Sequence, residues 1–339
     1  MVSGVGGSGL AKAARGDPEL RVCSLAGFKL GCGVSLPSCA KLAYRVYGDI
    51  KASKLAIAGT SFGVTHQQLE YHYGKTIPAE YAFVVFNLMG NGVSYSPSTH
   101  DASEGEYPLF GEFSATVGDN VRAQKLALES DADLKGRSID LVFGFSMGAM
   151  QAFEWARAYP SDVKYCVPLC GSSGCEDINV VFLEGLMALL ESSCTVPEKL
   201  RAFALVYAGW YVGPTDFYGT QHWKTQGFKS LDDFLTNYSA ARYEAADPDD
   251  LHAMVRTWRY TEPFSPEACK AIATKTLILP CDNDTYFRLE NIQGRELQHM
   301  PNAYMKIVKS PWGHLAGNPQ NLPEEFKFII DAIADLLKE

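Results

Sequence analysis

The 339-residue sequence has no apolar run approaching the roughly 18–20 residues needed to cross a bilayer, so no membrane partner is expected. It has no dense Lys/Arg run either, and its formal net charge of −9 repels phosphate backbones, which argues against nucleic acid as a partner. The stretch Met1–Leu20 is rich in Gly, Ala and Ser and lacks a continuous apolar segment, which argues against a secretory signal. It reads as a flexible tail. The nine cysteines are scattered, and even the densest group, Cys166, Cys170 and Cys175, has no histidine following at a metal-ligand spacing. Neither a metal nor a cofactor is therefore expected. Buried, reduced thiols in a cytoplasmic protein are the expectation instead. Internal repeats are missing, as is low-complexity sequence beyond the first segment.

What is present is core-forming material, with 47 % apolar residues and 12 % aromatics. Short β-rich runs occur at Leu55–Ala58, Tyr81–Leu88, Ile139–Phe143, Tyr165–Leu169, Thr276–Leu279 and Tyr304–Val308. Several are apolar at consecutive positions, as strands covered on both faces are, which predicts an α/β fold with a mostly parallel sheet flanked by helices. Helices are expected over Ala115–Glu129 and Met147–Tyr159. A last helix opens at Pro323 and buries Phe326, Ile329, Ile330, Ile333 and Leu337. The alternation breaks between Cys175 and Lys270, a helical stretch carrying Tyr207, Trp210, Tyr211, Trp223, Phe234 and Trp258. We read residues 175–270 as a helical lid inserted into a core formed by 21–174 and 271–339, with Trp210 and Trp258 lining the substrate space. Additional crossover helices without a covering role are the alternative.

The strongest local signal is Leu141-Val-Phe-Gly-Phe-Ser146-Met-Gly-Ala-Met, a strand, a tight Gly-flanked turn and a helix. Such a nucleophile elbow pushes the serine hydroxyl out of the sheet at the positive end of the next helix. Serine needs a base, and the base needs an orienting carboxylate. On this elbow the partners follow in the order Ser, acid, His. His314 follows a strand candidate and precedes the last helix, whereas His66, His72, His100, His222, His252 and His299 lack that combination. Asp282 and Asp284 both follow the strand Thr276–Leu279, and the residues alone leave either as the acid. The oxyanion hole takes one N–H from Met147 and a second from the loop after an early strand, at Ser61 or Phe62.

With those residues in hand, the chain resembles the homoserine O-acetyltransferase-like family of α/β-hydrolase-fold proteins. The resemblance runs from about Lys29 to the C-terminus. Its carriers are Leu42-Ala-Tyr-Arg-Val-Tyr-Gly48, Gly59-Thr-Ser-Phe-Gly63, Asp119-Asn-Val-Arg-Ala-Gln124, Ser146-Met-Gly-Ala-Met-Gln151 through Trp155, and Pro311-Trp-Gly-His314. In that family the acid is followed by two residues and then Phe, which implies Asp284 of Asp284-Thr-Tyr-Phe287 rather than Asp282. The chain departs from the homoserine-specific pattern at Phe145 and Ala149 of the elbow. It also lacks the Thr-Tyr-Arg-Ser lid motif that grips the amino-acid substrate. Arg256 and Arg259 are the nearby candidates to replace it, and solvation or pairing with Asp247, Asp249 or Asp250 is the plainer expectation for both.

The expected function is therefore hydrolysis of a small to medium ester or thioester through a Ser-His-Asp triad and an acyl-enzyme. The alternatives are an acyltransferase using acyl-CoA and an alcohol acceptor, and a non-catalytic binding protein on the same fold. The expected partner is a small-molecule acyl substrate, with acyl-CoA as one candidate donor and a homodimer as one candidate assembly.

Overall fold

The structure, a computed structural model, describes residues 7–110 and 113–339. Eight strands form one sheet: β1 Arg21–Ser24, β2 Lys41–Tyr47, β3 Lys54–Gly59, β4 Tyr81–Phe86, β5 Ile139–Phe145, β6 Val163–Leu169, β7 Lys275–Ile278 and β8 Ala303–Met305. Their order is β1-β2-β4-β3-β5-β6-β7-β8. The pairs β1/β2 and β2/β4 are antiparallel and the others parallel. The central strands β3, β4 and β5 carry apolar side chains on both faces, and nearly all are fully buried, as the unbroken apolar runs predict.

Two strands escape a reading based on apolar runs. β1 has four residues with Val22 exposed, and β2 is interrupted by the half-buried Lys41 and Arg45. At the opposite edge β8 is shorter than the apolar run Tyr304–Val308, because beyond Met305 the chain makes only single bridges and turns toward the site.

The helix Val117–Ser130 starts at Thr116, whose side chain accepts from the Asp119 N–H while the Asp119 carboxylate accepts from the Thr116 N–H. The last helix, Pro323–Leu337, buries Ile329 and Ile333 as expected. Ala332 and Leu336 complete its apolar stripe, while Phe326, Ile330 and Leu337 are only half-buried.

The expectation of a flexible tail fails from Gly7 onward. Gly7–Arg15 is a helix, and its Ala11 and Ala14 pack against Ala43 and Val93. The small side chains of Ala11 and Ala14 let this helix lie close to β2. Asp17 then holds Arg45 Nε at 3.1 Å and His66 Nε2 at 3.2 Å. Met1–Gly6 lie outside the described residues.

Between β6 and β7 the chain runs through the helices Asp177–Glu191, Val196–Ala208, Pro248–Arg259 and Pro266–Lys270, with a series of short helical segments from Pro214 to Arg242 between the second and third. This segment packs on loops at the C-terminal ends of the parallel strands. Phe203 and Tyr207 stack on Phe62 after β3, at 6.0 and 5.5 Å between ring centroids. Phe182 meets Tyr286 after β7 at 5.4 Å.

Candidate active site

The chain reverses from β5 into the helix Met147–Ala158 through the single residue Ser146, at φ 59° and ψ −123°. A non-glycine residue in this region stores on the order of 1–3 kcal/mol of strain and persists only where its surroundings enforce it. Here three glycines do so by letting backbones touch. A Cβ on Gly144 would lie 1.9 Å from the Gly148 carbonyl oxygen, and one on Gly148 would lie 2.6 Å from that of Gly59. One on Gly171 would lie 2.4 Å from the Ala149 Cβ. The Ser146 N–H donates to the Leu169 carbonyl at 3.0 Å, which ties the turn to the end of β6.

The structure brings Ser146, His314 and Asp284 together. His314 Nε2 is 2.9 Å from Ser146 Oγ, and His314 Nδ1 is 2.7 Å from Asp284 Oδ2. The other carboxylate oxygen, Asp284 Oδ1, accepts the N–H groups of Tyr286 at 2.8 Å and Phe287 at 3.1 Å. The carboxylate is thus fixed by its own loop, and Nδ1 is set as the donor to it, leaving Nε2 to accept from the serine hydroxyl. Asp282 lies elsewhere. It is exposed, and its Oδ1 faces the Ser310 N–H at 3.3 Å and Asn283 Nδ2 at 3.2 Å. The imidazole of His314 is enclosed by three rings: Phe145 at 4.8 Å, Tyr286 edge-on at 4.8 Å and Phe287 at 5.5 Å. Burial pushes the Tyr286 hydroxyl well above its ordinary range, so that ring stays neutral beside the histidine.

Met147 is the first residue of its helix, so its N–H has no partner within the helix. The loop after β3 is held over the same place. Ser61 Oγ donates to the Phe145 carbonyl, and a Cβ on Gly59 would fall 1.9 Å from Gln151 Oε1. Gln151 Nε2 donates to the Thr60 carbonyl at 2.9 Å and to the Met147 carbonyl at 3.1 Å. Gln124 Nε2 donates to Gln151 Oε1 at 2.6 Å, and Trp155 Nε1 donates to Gln124 Oε1 at 2.7 Å. These buried amides join two helices to the two segments carrying Met147, Ser61 and Phe62. Gln124, Gln151 and Trp155 stand out in the sequence only as part of a family motif. Their role depends on pairings 27 and 31 residues apart, which no local spacing reveals.

The remaining candidates are placed less centrally. Trp258 stacks on Phe287 at 5.4 Å, and Trp210 lies parallel to Tyr286 at 6.4 Å, so both back the loop that carries Asp284. Facing Phe62 are Phe203 and Tyr207, which the sequence reading did not single out as site residues. Arg259 Nε donates to Glu184 Oε1 at 2.7 Å, not to Asp247, Asp249 or Asp250. Arg256 Nη2 donates to the Phe113 carbonyl at 3.0 Å, and its guanidinium lies over the Tyr260 ring. Among the described residues, no group of three or more His, Cys, Asp or Glu side chains could hold a metal ion, and no helix is long and apolar enough to cross a membrane.

Residues 58–326 match the profile of the alpha/beta hydrolase family. The chain is 29 % identical to an ethyl acetate hydrolase of Pseudomonas veronii over 308 residues, 84 % of this chain and 85 % of the relative. It is 32 % identical to a homoserine O-succinyltransferase of Pseudomonas savastanoi pv. phaseolicola over 178 residues, 46 % of this chain and 45 % of the relative. The solved structure of the acetyl esterase MekB superposes with a TM-score of 0.86 at 25 % identity, covering 94 % of this chain and 97 % of that one.

Proposed function

The chain belongs to the alpha/beta hydrolase family, and from that premise we propose that it is a serine ester hydrolase of small to medium acyl esters, acetate esters foremost. The observation that carries this reading is the continuous line of short contacts from Ser146 Oγ through both nitrogens of His314 to Asp284. In the first step His314 Nε2 takes the hydroxyl proton as Ser146 Oγ attacks the ester carbonyl. Asp284 holds the ring and stabilises the imidazolium that forms. The N–H groups of Met147 and of Ser61 or Phe62 receive the negative charge on the tetrahedral oxygen. His314 returns the proton to the leaving alcohol, and water resolves the acyl-enzyme by the same sequence in reverse roles. The segment 175–270 serves as the lid, with Phe203 and Tyr207 over the oxyanion loop. The unpaired state of all nine cysteines is in keeping with a reducing, cytoplasmic setting.

The partial likeness to homoserine acyltransferases supports a second reading, in which an alcohol takes the acyl group from Ser146 and acyl-CoA is the donor. Binding homoserine calls for a guanidinium aimed at its carboxylate. Arg256 contacts Phe113 and Tyr260, and Arg259 contacts Glu184, so neither of these two stands out for that role, while the likeness to an ethyl acetate hydrolase over most of both chains favours hydrolysis. Intact-mass measurement after mixing with a panel of acyl esters and acetyl-CoA, with and without homoserine, tests both readings. An acyl adduct on Ser146 that decays to free acid is expected. Saturable formation of O-acetylhomoserine would replace the hydrolase reading with the transferase one.

A further inference from the structure

Arg242 ends a short helical turn, Ala240–Arg242, and its side chain is half-buried between two tyrosines. The guanidinium carbon lies 5.9 Å from the Tyr211 ring centroid and 5.3 Å from that of Tyr238, and Nη1 donates to the Tyr238 hydroxyl at 3.0 Å. Among the described residues it has no carboxylate partner, and Nε and Nη2 have no acceptor. Those two nitrogens form the edge of a guanidinium that grips a carboxylate with two parallel hydrogen bonds. The half-buried cation is balanced by two ring faces, a hydroxyl and solvent, and a carboxylate on its remaining edge would add a charge-assisted pair.

Arg242 lines a cavity of about 50 Å³ together with Tyr238, the apolar Trp312, Leu315 and Leu322, and the carboxamides of Asn318, Gln320 and Asn321. That is room for a carboxylate or a few waters. No acidic side chain lines it. Asn318 Oδ1 accepts from the Tyr71 hydroxyl at 2.9 Å, which leaves its amide N–H groups as donors. One lining residue, Leu315, is the chain neighbour of His314. It donates its N–H at 3.2 Å to the carbonyl of Tyr211, the residue whose ring flanks Arg242.

We propose that Arg242, with the carboxamides of Asn318, Gln320 and Asn321, forms an anion-binding subsite, and that the preferred esters carry a carboxylate on the acyl chain or on the alcohol. The inference rests on the ester-hydrolase reading and gives it a substrate class. A carboxylate held on the Nε–Nη2 edge would place the ester at Ser146 only for one range of chain lengths, so the subsite acts as a ruler as well as a charge filter.

The test uses two series of esters of increasing length. One comprises mono-ethyl esters of linear dicarboxylic acids, each against the neutral ethyl alkanoate of equal length. The other comprises acetate esters of linear ω-hydroxy acids, each against the neutral alkyl acetate. The readout is the ratio of kcat/KM for the anionic ester to that for its neutral counterpart. In the wild type one series is expected to peak at a particular length with a ratio of about tenfold or more, the value of a charge-assisted pair. Arg242→Gln is expected to bring that peak to unity or below, and Arg242→Lys to keep only part of it, because lysine supplies charge without the fork. The identity of the series that peaks says whether the acyl or the alcohol side carries the charge. Hydrolysis of neutral esters with no anionic preference at any length, or a preference that survives in Arg242→Gln, overturns the subsite alone. Failure to hydrolyse any ester overturns the hydrolase reading and the subsite together.

Discussion

Ser146, His314 and Asp284 act as a unit in the proposed chemistry, so loss of one member should cost about as much as loss of several. Ser146→Ala and His314→Ala are each expected to lower kcat for ester hydrolysis by about four orders of magnitude or more, with circular dichroism unchanged. Asp284→Asn should be severe, because an amide cannot stabilise the imidazolium, whereas Asp282→Asn should leave turnover close to wild type. The reverse ranking of the two aspartates would move the acid to Asp282. A different carboxyl contributes to the response of stability to pH. Burial pushes Asp250 up from 3.8 to about 6, and nearby Asp247 adds to the rise. The two hydrogen bonds from Ser98, at 2.9 and 2.6 Å, oppose it, as does Arg15. A carboxyl raised in the folded state binds its proton more tightly there than when unfolded. Its contribution to stability is therefore fully present below the unfolded value and is lost as pH rises through 6. The loss is on the order of 3 kcal/mol. Asp250→Asn keeps a partner for Ser98 without the charge. It is expected to raise Tm by a few degrees at pH 7.5 and to do little at pH 4. Equal effects at both pH values would contradict this account.

At the scale of elements, the turn between β5 and its helix and the amide chain beneath it set the geometry. Gly144→Ala would drive a Cβ into the Gly148 carbonyl and should abolish soluble, folded protein rather than merely slow it. Gln151→Leu leaves the Thr60 and Met147 carbonyls without their shared donor. If Gln151 positions the oxyanion donors, kcat should fall by about tenfold to a hundredfold with KM little changed. Affinity for a tetrahedral boronate inhibitor should fall in parallel. A variant that is only less stable, with kcat and boronate affinity intact at low temperature, would argue against that role. These elements also show what could be read in advance. The elbow was legible because strand, glycines and helix are contiguous, and the six long apolar runs mark six of the eight strands. The edge strands β1 and β2 were not, since short or charge-interrupted strands lack an apolar run. From spacing alone Asp282 and Asp284 could not be separated, because they differ only in which carboxylate the Tyr286 and Phe287 N–H groups turn toward His314. Arg242 gave no signal at all. Its unpaired edge exists only because Tyr211, Tyr238 and the chain after His314 meet around it.

At the scale of the whole molecule, the serine is nearly sealed: Ser146 is 4 % and His314 6 % exposed. On the proposed lid reading, a substrate reaches the hydroxyl when the segment 175–270 and the loop carrying Phe62 part. The stacking of Phe62 on Phe203 and Tyr207 is then the contact expected to open. Phe203→Ala is accordingly expected to speed inactivation by a bulky aryl phosphonate several-fold more than inactivation by a small alkyl one, compared as second-order rate constants. A uniform change for both reagents would show that the ring does not gate entry.

The insertion between β6 and β7 divides the chain so that the proposed nucleophile is on one side and both of its proposed partners are on the other. A break in the exposed turn at Ser192–Thr195, between two of the inserted helices, would leave Ser146 on the first fragment and Asp284 and His314 on the second. Neither piece alone would hold the proposed triad, and β7 pairs with β6 only when the two pieces meet. Co-expressed halves would therefore form a split enzyme in which turnover of a fluorogenic ester reports reassembly, with each half silent until it finds the other.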